Sequence, residues 1–324
     1  MQKSIPASPR PNTSTFVHSR IPASVHSCIR AFLHLCIPAF LILIPSTVVA
    51  QTFETIGIRA QGMGGAFIAV ADDASATWWN PAGLATGAYF NSILEYDRTD
   101  DQTRAEGVAI AFPALGLSYY RLPISQMRPS GSTGTSFASR EDEGVLSVFG
   151  ASVGQSLGNH VVLASTLKLL RAEGDTHAGF DVGAMANFSG LRLGLTVKNI
   201  NESSFGAGLD RLDLARQVRA GAALVGRGRG GVSQLALAVD ADLTTTPTLA
   251  GDERHLAGGV EVWMAQHRLG LRGGAATNTV GDSRNSASVG ASVAVRSGTY
   301  VDAQATGGSD PSRKGWGLDF RVTF

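Results

Sequence analysis

Hydrophobic and polar positions alternate with a period of two along most of this chain. At its end, Trp316, Leu318, Phe320, Val322 and Phe324 share one face, while Gly317, Asp319, Arg321 and Thr323 share the other. Successive strand residues point to opposite faces, so this segment has one apolar and one polar side. The division recurs upstream, where Leu191, Leu193, Leu195 and Val197 oppose Arg192, Gly194, Thr196 and Lys198. The pattern predicts fourteen strands, at about 89–97, 104–112, 115–122, 143–153, 159–170, 178–188, 191–198, 217–225, 232–241, 254–264, 266–275, 286–296, 299–306 and 314–324. Most come close to the roughly 9–11 residues that a tilted strand needs to cross a bilayer.

The connections sharpen this picture. Links after even-numbered strands are short: Pro113-Ala114, Gly154–Gly158, Ser189-Gly190, Gly226–Gly231, Ala265 and Ser297-Gly298. Links after odd-numbered strands include the longer 123–142, 199–216 and 242–253. Short turns at one end, long loops at the other and an even strand count predict an all-β fold, a 14-stranded antiparallel transmembrane barrel with both termini at the turn side. Closure also satisfies every backbone N–H and C=O without water, as hydrocarbon demands. A secreted β-sandwich or propeller is the alternative. Its strands would alternate too, but its loop lengths would not.

The first fifty residues break the pattern. They hold four basic residues (Lys3, Arg10, Arg20 and Arg30) and no acidic one, then an apolar run from Ala31 to Ile44 and the segment Pro45–Ala50. That order predicts a secretory signal over 1–50, cleaved before Gln51. A membrane anchor is the alternative, but Pro38 and Pro45 interrupt a run already short of the roughly 20 residues a spanning helix needs. The long lead before the apolar run also points to a translation start downstream of Met1. Losing four of the 27 Lys+Arg leaves 23 against 26 Asp+Glu, a net charge of −3. Such a balance offers no nucleic-acid surface. Both cysteines, Cys28 and Cys36, leave with the signal, so disulfides do not hold the mature chain.

Candidate chemistry is sparse. The mature histidines, His160, His177, His255 and His267, lack metal-ligand spacing. Gly62-Met-Gly-Gly follows no strand and completes no dinucleotide fingerprint. No serine stands beside a histidine, so the reading is of a protein that is not an enzyme, with no cofactor and no metal. The polar strand faces do carry charge. Arg192, Arg219, Arg268, Arg272 and Arg321 are the main candidates for a charged lumen, with Lys168, Lys198 and Arg296 beside them. A basic side chain on the lipid face costs roughly 2–4 kcal/mol at midplane, so these residues are expected to point inward.

Residues 57–84, which include Gly-Met-Gly-Gly-Ala (62–66), Ala-Asp-Asp-Ala (71–74) and Asn-Pro-Ala-Gly-Leu (80–84), resemble the opening of the FadL and PorV/PorQ superfamily of bacterial outer-membrane barrels. Residues 179–200 are similar to paired strands of the PorV/PorQ branch, and terminal Phe324, with Phe320, resembles the signal read by the barrel-assembly machinery. The resemblance implies an outer-membrane location, with lipid around the barrel and residues 51–88 folded as a plug inside a barrel of residues 89–324. It makes Gly62, Gly64, Gly65, Asn80, Pro81 and Ala82 candidates for plug packing or gating, a purely structural role being the alternative. From the residues themselves, Asp72 or Asp73 is expected to cap a helix over 74–79 that Pro81 ends.

Two functions follow from the resemblance. One is passive transport of a hydrophobic ligand such as a long-chain fatty acid. The other is a non-transporting partner or anchor for proteins of a secretion or surface-attachment complex. The mostly small and polar loop 130–140 argues somewhat against the first, and Phe205, Leu209, Leu212 and Leu214 lend it thin support.

Overall fold

The computed structural model describes residues 56–100, 103–123, 145–172, 174–205, 212–248, 251–310 and 313–324. The expected signal over 1–50, its cleavage point and the loop 130–140 lie outside these residues. Among the described residues, fourteen strands close into one antiparallel barrel. One half of the wall comprises β1 (Asn91–Thr99), β2 (Arg104–Phe112), β3 (Leu115–Pro123), β4 (Val145–Leu157), β5 (Val161–Ala172), β6 (Asp175–Phe188) and β7 (Leu191–Lys198). The other comprises β10 (Gln217–Arg227), β11 (Val232–Asp242), β14 (His255–Met264), β15 (Leu269–Asn278), β16 (Asn285–Arg296), β17 (Thr299–Gly308) and β18 (Gly315–Thr323). Each wall strand pairs with its sequence neighbours, and β1 closes the ring by pairing with both β2 and β18. Two small ribbons, β8 (Ser204–Phe205) with β9 (Leu212–Asp213) and β12 (Thr246–Thr248) with β13 (Gly251–Glu253), sit within the long links.

The alternation explains both faces of this wall. Outward positions carry exposed Leu94, Leu117, Phe149, Leu237, Val289 and Phe320, among others. Inward positions bury Lys168, Asp181, Arg219, Asp240, Glu261 and Asp302. A water-soluble sandwich buries its apolar faces between sheets. Here the apolar face is turned out and the charge is enclosed, an arrangement suited to surrounding hydrocarbon.

Turn chemistry sets the short end. Ser189 and Gly190 both take positive φ (49° and 105°), as a two-residue type I′ hairpin requires. The link after β14 corrects the sequence reading. It is the four-residue turn 265–268, not Ala265 alone, with Ala265, Gln266 and His267 all at positive φ, so β15 begins at Leu269. The links at the opposite end are not uniformly long: only residues 173–174 separate β5 from β6.

The chain before β1 forms α1 (Ile58–Gly62), α2 (Ala76–Trp79) and a 3-10 helix (Pro81–Thr86). Helix α2 starts two residues later than expected. Asp73 Oδ1 accepts the Ser75 backbone N–H (3.0 Å) and hydroxyl (2.5 Å), while Asp72 is drawn away to Arg59. Pro81 opens the 3-10 helix at its first turn, where its missing N–H costs nothing.

Candidate functional site: the filled lumen

Residues 56–86 pack against the inward side of the wall, and glycines of the wall make the approach possible. A Cβ on Gly274 would fall 2.1 Å from the Met63 carbonyl carbon, one on Gly194 2.6 Å from Ile68 O, and one on Gly183 2.2 Å from Asn80 Oδ1. Glycine inside a strand often marks the close approach of another backbone. Gly64 reaches Ala275 in the same way, and its φ of 70° is one that a side chain tolerates poorly.

Polar contacts fix the segment to the wall. Arg59, on α1, is the hub. Its Nε and Nη2 donate to the two oxygens of Glu261 on β14 (2.7 and 2.6 Å), and its Nη1 donates to Asp72 (2.5 Å) and Asp73 (3.2 Å). Arg192 on β7 reaches the other oxygen of Asp72 at 3.3 Å. Asp240 Oδ2 accepts the backbone N–H groups of Phe67 (2.6 Å) and Ile68 (2.7 Å), and Glu95 accepts that of Gly57 (3.1 Å). Beside this hub, Arg272 donates to Ser292 and to Asp302 (3.3 Å), and Arg321 grips Asp302 through Nε (2.9 Å) and Nη2 (3.2 Å). Two-pronged Arg–carboxylate pairing is directional and charge-assisted, so it fixes orientation as well as position.

The sequence candidates fall into two groups on opposite sides of the ring. Gly62, Gly64 and Gly65 follow the hub towards β15 and β16; a Cβ on Gly62 would strike the Arg272 side chain at 2.8 Å. Asn80, Pro81 and Ala82 dock on β5 and β6. Asn80 donates to Ile68 O (2.9 Å) and Ala184 O (3.1 Å) and accepts from Ala82 N–H (3.2 Å), while Ala82 packs on Val162, Ala164 and Met185. Arg192, Arg219, Arg272 and Arg321 are inward, and Arg219 pairs with Asp242 at 2.5 Å. Arg268 is a correction. It lies exposed in the turn 265–268, outside the lumen, because that turn is longer than expected. Arg296 is likewise exposed, past a register shift at the end of β16. Phe324 stacks on Phe90 with ring centroids 4.9 Å apart, and the two residues exchange backbone hydrogen bonds at the seam of the barrel. Phe320 is exposed on the outer wall.

Sequence reasoning missed Arg59. Its one available signal was a lone arginine amid small and apolar residues.

The remaining wall differs in character. At the loop end, the inward positions Tyr120 and Leu122 of β3, Leu146 and Val148 of β4, and Leu170 of β5 form an apolar patch with Phe205 and Leu214. Trp78 meets Tyr120 edge-on at 5.6 Å, and Lys198 Nζ stands 3.4 Å above the Trp78 ring. The lumen therefore has an ionic side around Arg59 and an apolar side faced by Trp78, and the inner segment is fixed to the wall on both.

Several solved structures share this architecture. The CymD monoaromatic hydrocarbon channel superposes with a TM-score of 0.56 at 12% identity, covering 85% of this chain and 99% of that one. The toluene transporter TbuX of Ralstonia pickettii gives 0.56 at 11% identity, covering 84% and 99%. The chain has the FadL-like fold. A family model described as "F plasmid transfer operon, TraF, protein" matches residues 170–242, from the end of β5 to the end of β11. No curated protein matches the chain in sequence.

Proposed function

We propose that this FadL-like barrel is an outer-membrane channel for the passive entry of small hydrophobic molecules, with residues 56–86 as its plug. The observation that carries the reading is the apolar inward patch on β3–β5, next to Trp78 and across the lumen from the ionic latch on Arg59. These side chains are buried in the closed barrel, so a hydrophobic solute gains burial against them, at about 25 cal/mol per Å², once the inner segment moves and uncovers them. Displacement of the plug from its ionic side would then extend the patch into a path. CymD, a monoaromatic hydrocarbon channel, and TbuX, a toluene transporter, make small aromatics the first solutes to try, ahead of long-chain fatty acids.

The test is accumulation of labelled toluene and oleate by cells with and without the protein, with a sugar of similar mass as control. Faster entry of either hydrophobe, with the sugar unchanged, is the expected result. Equal rates for all three solutes would refute the channel reading.

The second reading is a non-transporting partner or anchor of a secretion or surface-attachment complex, and the match of residues 170–242 to a family named for a plasmid transfer operon protein is its support. The native mass after mild detergent extraction separates the two. A single barrel with its detergent fits the channel, and migration within a much larger particle fits the assembly.

The seam carries a further prediction. Deleting Phe324 removes the stack on Phe90 and the last exchanged pair of backbone hydrogen bonds. It should lower outer-membrane levels of the protein, read by immunoblot of membrane fractions. Unchanged levels would count against a terminal signal for the barrel-assembly machinery.

A further inference from the structure

At the loop end of the barrel, away from the plug latch, two links converge. Glu253 ends β13, His255 begins β14, and Asp310 belongs to the link between β17 and β18. Their donor atoms, two carboxylate oxygens and one imidazole nitrogen, all lie within 4.8 Å of one another, and all three residues are buried. Glu253 Oε1 is buried and lies in direct contact with the His255 imidazole nitrogen. The Arg284 guanidinium stands 3.8 Å from the other oxygen, Oε2, leaving Oε1 on the side of the cluster. Buried charges are paired or coordinate metals, and here two buried carboxylates meet one imidazole.

We propose that Glu253, His255 and Asp310 form a binding site for a divalent transition-metal ion, with Zn2+ the best-fitting ion. Zinc takes nitrogen and oxygen ligands at about 2.0–2.2 Å, which places tetrahedral donors about 3.4 Å apart. Small side-chain rotations bring atoms within 4.8 Å to that spacing. The imidazole selects against Ca2+ and Mg2+, which prefer all-oxygen shells. Three protein ligands leave one position for water.

The site ties the β17–β18 link to the ribbon β12–β13. The same link carries Arg313, whose Nη2 donates to Gly64 O of the inner segment (3.3 Å) and whose Nη1 donates to Ser286 (3.3 Å). An ion at Asp310 thus anchors the link that holds the inner segment from the loop end.

The experiment uses untagged full-length protein in detergent, stripped with EDTA and titrated with Zn2+ by calorimetry. One Zn2+ per chain is expected, with binding weakened at least tenfold in His255→Ala and in Asp310→Asn and unchanged in His267→Ala, which alters the exposed turn. Absence of saturable binding, or full binding in both ligand variants, would overturn the site. Should either variant fail to show the heat-modifiable migration of a folded barrel, X-ray absorption of the zinc-loaded wild type decides. One imidazole with oxygen neighbours supports the site. An all-oxygen shell, or more than one imidazole, overturns it and leaves a protonated His255 ion-paired with Glu253 as the explanation of the cluster.

Discussion

Replacing Arg59 with alanine will release the inner segment from the wall while leaving the barrel closed. The side chain satisfies Glu261 with two hydrogen bonds and also engages Asp72 and Asp73. Its removal leaves Glu261, which is fully buried, with Arg272 Nε at 3.5 Å as the nearest cation. Removing one partner of a buried ion pair costs about 3–5 kcal/mol, because the other charge stays desolvated. That cost falls on docking rather than on the ring, whose strands are held by inter-strand hydrogen bonds that Arg59 does not enter. The docking equilibrium constant should drop by a factor on the order of a hundred to several thousand. Planar-bilayer recordings should show a higher conductance and residues 56–86 should become open to protease, with heat-modifiable migration unchanged. Conductance equal to wild type would show that the latch does not hold the segment. Glu261→Ala should act in the same direction. The Arg59→Ala/Glu261→Ala double variant should cost less than the sum of the singles, because each single strands the other's charge.

Gly83→Ala is expected to have a comparable effect by a different route. The added methyl would lie 1.7 Å from the carbonyl oxygen of Ala71, inside the segment's own fold. The neighbour is backbone, so no side-chain rotation relieves the overlap, and the cost should exceed the about 1–3 kcal/mol of ordinary overpacking. The turn joining α2 to the 3-10 helix must then move, taking Asn80 from Ile68 O and Ala184 O. Gly258→Ala is the control, since a Cβ there meets nothing within 4 Å. Opening in Gly83→Ala but not in Gly258→Ala, read by the same conductance and protease assays, is the expected pair of results. Equal behaviour of the two variants would mean that the segment tolerates repacking at Gly83. Arg59→Ala combined with Gly83→Ala should open the lumen little further than the stronger single variant, because both undock one element.

The wall of this protein was written in its sequence. Alternation with period two reports local geometry, so it located all fourteen wall strands, from β1 at Asn91–Thr99 to β18 at Gly315–Thr323, and divided each into an outer and an inner face. The pairing of Ser189 with Gly190 likewise marked its hairpin from the chain alone. Boundaries slipped where non-glycine residues took positive φ, as at Ala265, Gln266 and His267, and the slip carried Arg268 from the expected lumen to an exposed turn. What the lumen holds was decided only in three dimensions. Arg59 and Glu261 stand 202 residues apart, and Glu253 and Asp310 are brought together by separate links. Periodicity says which way a side chain points, but not which residue it meets. That depends on ring closure and on the inward glycines that let the chain before β1 lie against the wall.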